Sequence, residues 1–224
     1  MSLNPRPEVL VFDVNETLSD TAALSDRLSA VGAAPASAAR FLPSVLRDGF
    51  ARTLRDDPLP FAEIAGDVLR SELSGHADRA LDEDVEFVLG AFEEFGVHPD
   101  VPDGVRRLRE NGFVTVAFTN GSRATCESLL ERTGIREQFT HVLSVEDVGY
   151  WKPHEAAYGH VLDVCSVDAR DVLFVAVHPW DLDGAAATGM RTAWIDRAGS
   201  AYPRRSTPPT LTVRGVDDLA AAVV

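Results

Sequence analysis

Apolar residues recur along the chain in two rhythms. Short β-branched runs at Val9–Phe12, Val114–Phe118 and Val172–Val175, with weaker ones at Val142–Leu143 and Thr192–Ile195, have the length and continuity of strands buried on both faces of a parallel sheet. Between the later runs, Val101–Glu110, Ser122–Thr133, Glu155–Leu162 and Leu182–Thr188 carry apolar residues at helical spacing. This alternation predicts a doubly wound, Rossmann-like α/β sheet, in which reactive groups gather at the carboxyl ends of the strands. From Asp20 to Pro99 the rhythm changes. No strand pattern occurs there, and helical spacing runs through Ala22–Val31, Ala36–Leu54, Phe61–Leu73 and Val85–Phe95. Breakers at Gly32–Pro35, Asp56–Pro60 and Ser74–Ala77 separate these helices, and the two prolines within Gly96–Pro102 suit a return hinge. The expected organisation is an α/β core of residues 1–19 and 100–224, with an all-helical domain of residues 20–99 inserted after the first strand. Gly199–Pro209 reads as a surface loop.

At 224 residues, 45% hydrophobic and 25% charged, the chain can bury a substantial core. Its 21 basic residues face 35 acidic ones, a net charge of −14, which opposes nucleic acid as a partner because such binding rests on cationic contacts to phosphate. Cys126 and Cys165 stand far apart without a CxxC pattern, so they read as thiols in a reducing compartment and not as a disulfide or zinc site. No apolar run is long enough to span a bilayer, and MSLNPRPEVL carries no secretory-type run. The expectation is a cytoplasmic protein without a membrane partner. Of the basic residues, twenty are Arg and one, Lys152, is Lys.

Candidate chemistry lies at the strand ends. Asp13 follows the first run directly, and Thr119-Asn120-Gly121-Ser122 follows the second, where hydroxyl and amide groups before a helix N-terminus can hold an anion. Lys152 comes after the third strand, in Tyr150-Trp151-Lys152-Pro153, and His178-Pro179-Trp180-Asp181 comes after the fourth. Two carboxylates, an ammonium and an anion cradle along one sheet edge point to covalent catalysis on a carboxylate nucleophile. In a chain that otherwise uses Arg, a retained Lys implies a compact point charge that a planar guanidinium would not replace. Asp183, two residues past Asp181, is expected to be solvated.

Taken in this order, the four segments resemble the haloacid dehalogenase-like hydrolases. Among these the chain looks most like the L-2-haloacid dehalogenases, through Phe118-Thr119-Asn120-Gly121-Ser122, Leu143-Ser144-Val145-Glu146, Tyr150-Trp151-Lys152-Pro153 with Tyr158 six residues on, and Trp180-Asp181 before Gly184-Ala185. The resemblance implies that Asp13 is the nucleophile, that Thr17 and Thr119 position its oxygens, and that Lys152 and Asp181 support charge and water. Asn15, Asn120, Tyr158, His178 and Trp180 are expected on the substrate side, with Trp180 either walling the pocket or filling space. The helical insert becomes a cap, the partner a small anionic molecule without cofactor or metal, and the assembly a homodimer.

The chain departs from the family at several places. The family's halide-binding Arg aligns with Leu42, leaving Arg40 or Arg47 as substitutes. Ala176 and His178 stand where the family carries Ser and Asn, and His178, titrating near neutrality, can carry a proton. The alternative is an Mg²⁺-dependent phosphatase, with Asp13 and Asp181 as metal ligands. That reading is weakened because the proton-transferring Asp two residues after the nucleophile is Asn15 here, at a cost on the order of 10²–10⁴ in rate, and because the first member of the acidic pair on the fourth strand falls at Val177. A second alternative is a catalytically silent binding module, which the intact set of Asp13, Thr119, Lys152 and Asp181 argues against.

Overall fold

The computed structural model describes residues 5–74 and 81–223. Strand β1 (Val9–Asp13) is buried along its whole length. It leads into a two-residue strand β2 (Ser19–Asp20) and four helices: α1 (Ala22–Ala30), α2 (Pro35–Thr53), α3 (Phe61–Leu73) and α4 (Leu81–Leu89). A 3₁₀ turn at Gly90–Glu93 precedes β3 (Gly96–Val97), which pairs antiparallel with β2 through Ser19 with Val97 and Asp20 with Gly96. This ribbon brings the two ends of the helical segment together. The rest of the chain alternates: α5 (Val101–Glu110), β4 (Val114–Thr119), α6 (Arg123–Arg132), β5 (His141–Ser144), α7 (Glu155–Cys165), β6 (Val172–Ala176), α8 (Pro179–Ala187), β7 (Arg191–Ile195), β8 (Leu211–Val213) and α9 (Val216–Val223).

Six strands form one parallel sheet in the order β5-β4-β1-β6-β7-β8. Its continuous apolar strands are covered by helices, as parallel sheets require. The strand order reverses at β1, so the crevice beyond its carboxyl end is the expected ligand site of such a sheet. Asp13 sits there, opposite Phe118 in the register with β4.

Two elements escape the sequence pattern. Strand β8 has three residues, too few for a periodicity, and helix α9 is recognised only by packing, with Val216, Leu219, Ala220 and Val223 buried. The stretch expected as one helix over Val85–Phe95 is α4 followed by the 3₁₀ turn. The expected break at Ser74–Ala77 lies, beyond Ser74, outside the described residues.

Helix α2 buries Phe41, Val45, Gly49 and Thr53, one residue per turn. Gly49 is needed at its place because a Cβ there would run into the indole of Trp151. Trp151 in turn stacks on Phe61 of α3 with ring centroids 5.7 Å apart, donates its Nε1–H to the Leu59 carbonyl at 3.1 Å and gives its backbone N–H to Thr53 Oγ1 at 3.3 Å. The residue before Lys152 is thereby fastened to the helical layer.

Candidate active site

Asp13 leaves β1 almost fully buried, and both carboxylate oxygens are occupied. Oδ1 accepts from Lys152 Nζ at 2.8 Å, and Oδ2 accepts from Thr17 Oγ1 at 2.7 Å and faces His178 Nδ1 at 3.2 Å. Thr17 Oγ1 also accepts the Val177 N–H at 3.1 Å, which ties the loop after β1 to the end of β6.

Lys152 is fully buried and spends all three ammonium hydrogens. Besides Asp13, it donates to Asp181 Oδ2 at 2.7 Å and to the Phe118 carbonyl at 3.2 Å. Three diverging donors suit an ammonium and not the flat fork of a guanidinium. Its ammonium also lies 5.1 Å from the Phe118 ring centroid and 5.4 Å from that of Phe174. Asp181, in the first turn of α8, is completed by the Tyr158 hydroxyl, which donates to Oδ1 at 2.6 Å. Gly184 admits this ring, since a Cβ there would meet the Tyr158 hydroxyl at 2.5 Å.

On the other side of Asp13, His178 Nε2 lies 3.0 Å from Glu16 Oε2. Glu16 holds a left-handed backbone, φ 63°, which costs a non-glycine residue conformational energy. Its N–H donates to Ser19 Oγ at 3.1 Å, and its carbonyl lies 3.0 Å from His98 Nε2. Trp180 lies against His178 at 5.3 Å and against Phe50 of α2 at 4.9 Å.

The electrostatics follow from this packing. Burial alone would raise the Asp13 carboxyl, but Lys152 and His178 outweigh it and hold the group well below the ordinary carboxylate range. For Lys152, burial favours the neutral amine and the charges of Asp13 and Asp181 overcome it. Burial likewise lowers the His178 imidazole, yet hydrogen bonds and charge from Asp13 and Glu16 push it up to about 10. It is an imidazolium at neutral pH in this state. Burial, with the Asp13 charge adding to it, raises the Asp181 carboxyl despite Lys152 and Tyr158.

Asp13, Thr17, Lys152, Asp181 and His178 therefore meet in one hydrogen-bonded cluster. Other expected residues take different places. Thr119 accepts the Gly121 N–H at 2.9 Å and, among the described residues, makes no hydrogen bond to Asp13. Asn120 spends both ends of its amide on the backbone of Lys152, accepting its N–H at 2.9 Å and donating to its carbonyl at 3.3 Å, so it holds the lysine loop instead of facing a substrate. Ser122 Oγ caps α6 by accepting the Thr125 N–H. Tyr158 is fully buried behind Asp181, beyond reach of a ligand. Asn15 is half-buried and, with Val14 and Thr119, borders a cavity of about 160 Å³ beneath α3. Leu42 is buried, while the two arginines expected to replace a halide-binding guanidinium are paired at the surface, Arg40 with Glu72 and Arg47 with Asp48. Asp183 accepts the Thr207 N–H at 2.8 Å, fastening the loop at 199–209 instead of facing only solvent. Glu16 was invisible in the sequence; its one clue is its place in the loop that follows Asp13.

The cluster does not suit Mg²⁺. Every carboxylate oxygen of Asp13 and Asp181 already takes a hydrogen bond, and an ammonium occupies the space between the two groups, where a divalent ion would need vacant oxygens.

A family model for haloacid dehalogenase-like hydrolases matches residues 7–189. The chain belongs to that family. This haloacid dehalogenase-like hydrolase is 27% identical over 203 residues to an (S)-2-haloacid dehalogenase of Pseudomonas sp. (strain YL), a match covering 89% of the chain and 87% of the relative. Haloacetate dehalogenase H-2 of Moraxella sp. (strain B) is 33% identical over 119 residues, 53% of either chain. The solved L-2-haloacid dehalogenase of Xanthobacter autotrophicus superposes with a TM-score of 0.85 at 20% identity, over 96% of this chain and 97% of that one. A dehalogenase solved with an intermediate complex reaches a TM-score of 0.91 at 23% identity, over 97% of both. At these identities the two structures establish the shared fold.

Proposed function

We propose that this hydrolase removes halide from short 2-haloacids with Asp13 as nucleophile. The observation that carries the reading is a buried carboxylate kept ionised at the carboxyl end of β1 by Lys152, Thr17 and His178, in a chain akin to named haloacid dehalogenases. An Asp13 oxygen attacks C2, the carbon–halogen pair leaves with the halide, and an ester joins Asp13 to C2. Water then attacks the Asp13 carbonyl carbon, the bond from that carbon to the substrate oxygen breaks, and a 2-hydroxy acid departs. The sum is haloacid plus water giving hydroxy acid, halide and one proton.

His178 is assigned the water. While Asp13 is an anion, His178 stays protonated between it and Glu16. Esterification removes one of the two anions, the imidazole loses affinity for its proton, and Glu16, 41% exposed at its side chain, can pass that proton to solvent. Lys152, Asp181, Tyr158 and Asn120 are positioning residues. Thr119, Asn15 and the start of α6 border the substrate, and Trp180 walls the His178 side. Arg40 and Arg47 are engaged by Glu72 and Asp48, and bromide, with the weaker bond to carbon, should leave faster than chloride.

We further read residues 1–19 and 100–224 as a core and 20–99 as a cap, and the protein as a cytoplasmic homodimer. Free Cys126 and Cys165 and the exposed Leu54, Phe87 and Val164 support these last two points. Among the described residues, no helix is long and apolar enough to cross a membrane.

The test is halide release from 2-chloro- and 2-bromopropanoate with chelator present. The parent protein should release halide and Asp13→Asn should not. In a single turnover in ¹⁸O-water, the label should enter the peptide containing Asp13 before it appears in product. Silence with both acids, together with Mg²⁺-dependent hydrolysis of a phosphate ester, would overturn the reading.

A further inference from the structure

We propose that the cavity beside Asn15 and Thr119 is a subsite for a benzene-sized apolar group on the substrate, so that 2-haloacids with an aryl or long alkyl side chain are preferred over haloacetate and halopropanoate. This rests on the dehalogenase reading for its chemistry, though not for its binding.

The cavity holds about 160 Å³, and a 150 Å³ cavity lined by Leu, Ile and Phe is known to stay dry and admit benzene. Its lining is of two kinds. Asn15, Thr119 and Ser122 contribute polar groups from the carboxyl edge of β1 and β4, and Val14, also on the wall, is peptide-bonded to Asp13. The apolar lining comes from Phe61, Leu89, Phe92 and Phe95, together with Leu129 and Cys126 of α6. The aromatic side is braced: Phe61 meets Phe92 edge-on at 5.4 Å, Phe92 lies 4.8 Å from Phe95, and Phe61 is stacked on Trp151. Burial pushes the Cys126 thiol up to about 12, so this wall is uncharged. Asp13 is the chain neighbour of Val14 on the cavity wall and does not itself line the cavity, so a substrate whose reacting carbon meets Asp13 would carry its side chain past Val14 and Asn15 into this space. A methyl group leaves most of it empty, whereas a phenyl group fills it. The exposed carboxylates Glu93 and Glu146 also border the cavity and act against a second negative charge on the substrate.

Two measurements separate the subsite from the chemistry. Propanoate and 3-phenylpropanoate carry no halogen and cannot react, so calorimetric titration of the parent protein reads the subsite alone. The phenyl compound should bind at least about 10-fold more tightly, the scale of one or two buried methylenes. Halide release then gives the ratio of kcat/KM for 2-bromo-3-phenylpropanoate over 2-bromopropanoate, expected at about 10 or more, with 2-bromosuccinate slower than either. Ala62, exposed and bordering the cavity, offers a way to fill it: Ala62→Phe should bring both ratios close to 1, and Leu89→Trp should do the same if Ala62→Phe fails to fold. Equal binding of the two acids by the parent, or ratios that neither variant changes, would overturn the subsite. Absence of halide release from every bromoacid, with the phenyl preference intact in calorimetry, would overturn the dehalogenase reading and leave the subsite standing.

Discussion

Lys152 and His178 both touch the Asp13 carboxylate, from opposite sides, and their surroundings differ in kind. Lys152 has no exposed surface, and each of its three donors has an acceptor on a different strand or helix. His178 keeps 17% of its side chain in solvent, and its second partner, Glu16, is held on a strained backbone and open to water. One side of Asp13 is fixed and fully compensated. The other can change its protonation without dismantling the core, and a nucleophile that must be ionised in one step and esterified in the next needs both.

Removing the fixed side should do most damage. In Lys152→Met, Asp181 loses its counter-charge and Asp13 keeps only His178, and loss of one partner of a buried pair costs about 3–5 kcal/mol. Urea unfolding should show that loss, together with loss of halide release, and Lys152→Arg should not rescue activity because its planar fork cannot meet three diverging acceptors. On the solvent-accessible side, His178→Gln should leave the first step running and slow the second by roughly 10²–10⁴. Halide should appear in a burst of about one per site, and the ester on Asp13 should be visible by mass; a steady rate without a burst would remove His178 from the water step.

The comparison sharpens with pH. His178 goes from an ordinary value of 6.5 to about 10 on folding, so the folded state holds a proton that the unfolded state has released between those values. Its contribution to stability is complete below pH 6.5 and is lost as pH rises towards 10, at on the order of 1 kcal/mol per pH unit. Asp13, lowered on folding, contributes a constant amount across that window. Unfolding free energies of the parent should therefore decline relative to His178→Gln from pH 7 to 10. The smallest effect belongs to Tyr158→Phe, which deletes one hydrogen bond to a charged acceptor at the edge of the fixed side, about 1.5 kcal/mol, with kcat reduced and KM hardly moved.

The sheet was legible because its strands are continuous apolar runs, and the residue that ends each run falls by geometry on one edge. Asp13, Lys152 and Asp181 could be picked out for that reason. Strand β8 and helix α9 could not, since the first is too short to show a period and the second is defined by what it packs against. The motif at 118–122 lies beside the Asp13 cluster, where the Phe118 carbonyl accepts from Lys152, and its side chains secure the loop itself: Asn120 grips Lys152, Ser122 caps α6 and Thr119 holds Gly121. Spacing locates a residue on an element and does not say which way its amide or hydroxyl turns. Glu16 shows the converse, because a left-handed backbone and a contact spanning 162 positions to His178 leave no local trace. Leu42 is part of the buried core, and Arg40 and Arg47 are engaged at the surface by Glu72 and Asp48; the sequence shows that these arginines exist and not which carboxylates they meet.

Trp151 follows the sheet in sequence and the helical layer in its contacts, lying under Gly49, stacked on Phe61 and bonded to Thr53 and Leu59. The next peptide presents the ammonium to Asp13. The packing of α2 and α3 on the sheet and the placement of the counter-charge therefore share one residue, and a substitution that loosens Trp151 should be felt at Asp13. Fluorescence from that indole would report the latch and the charge together.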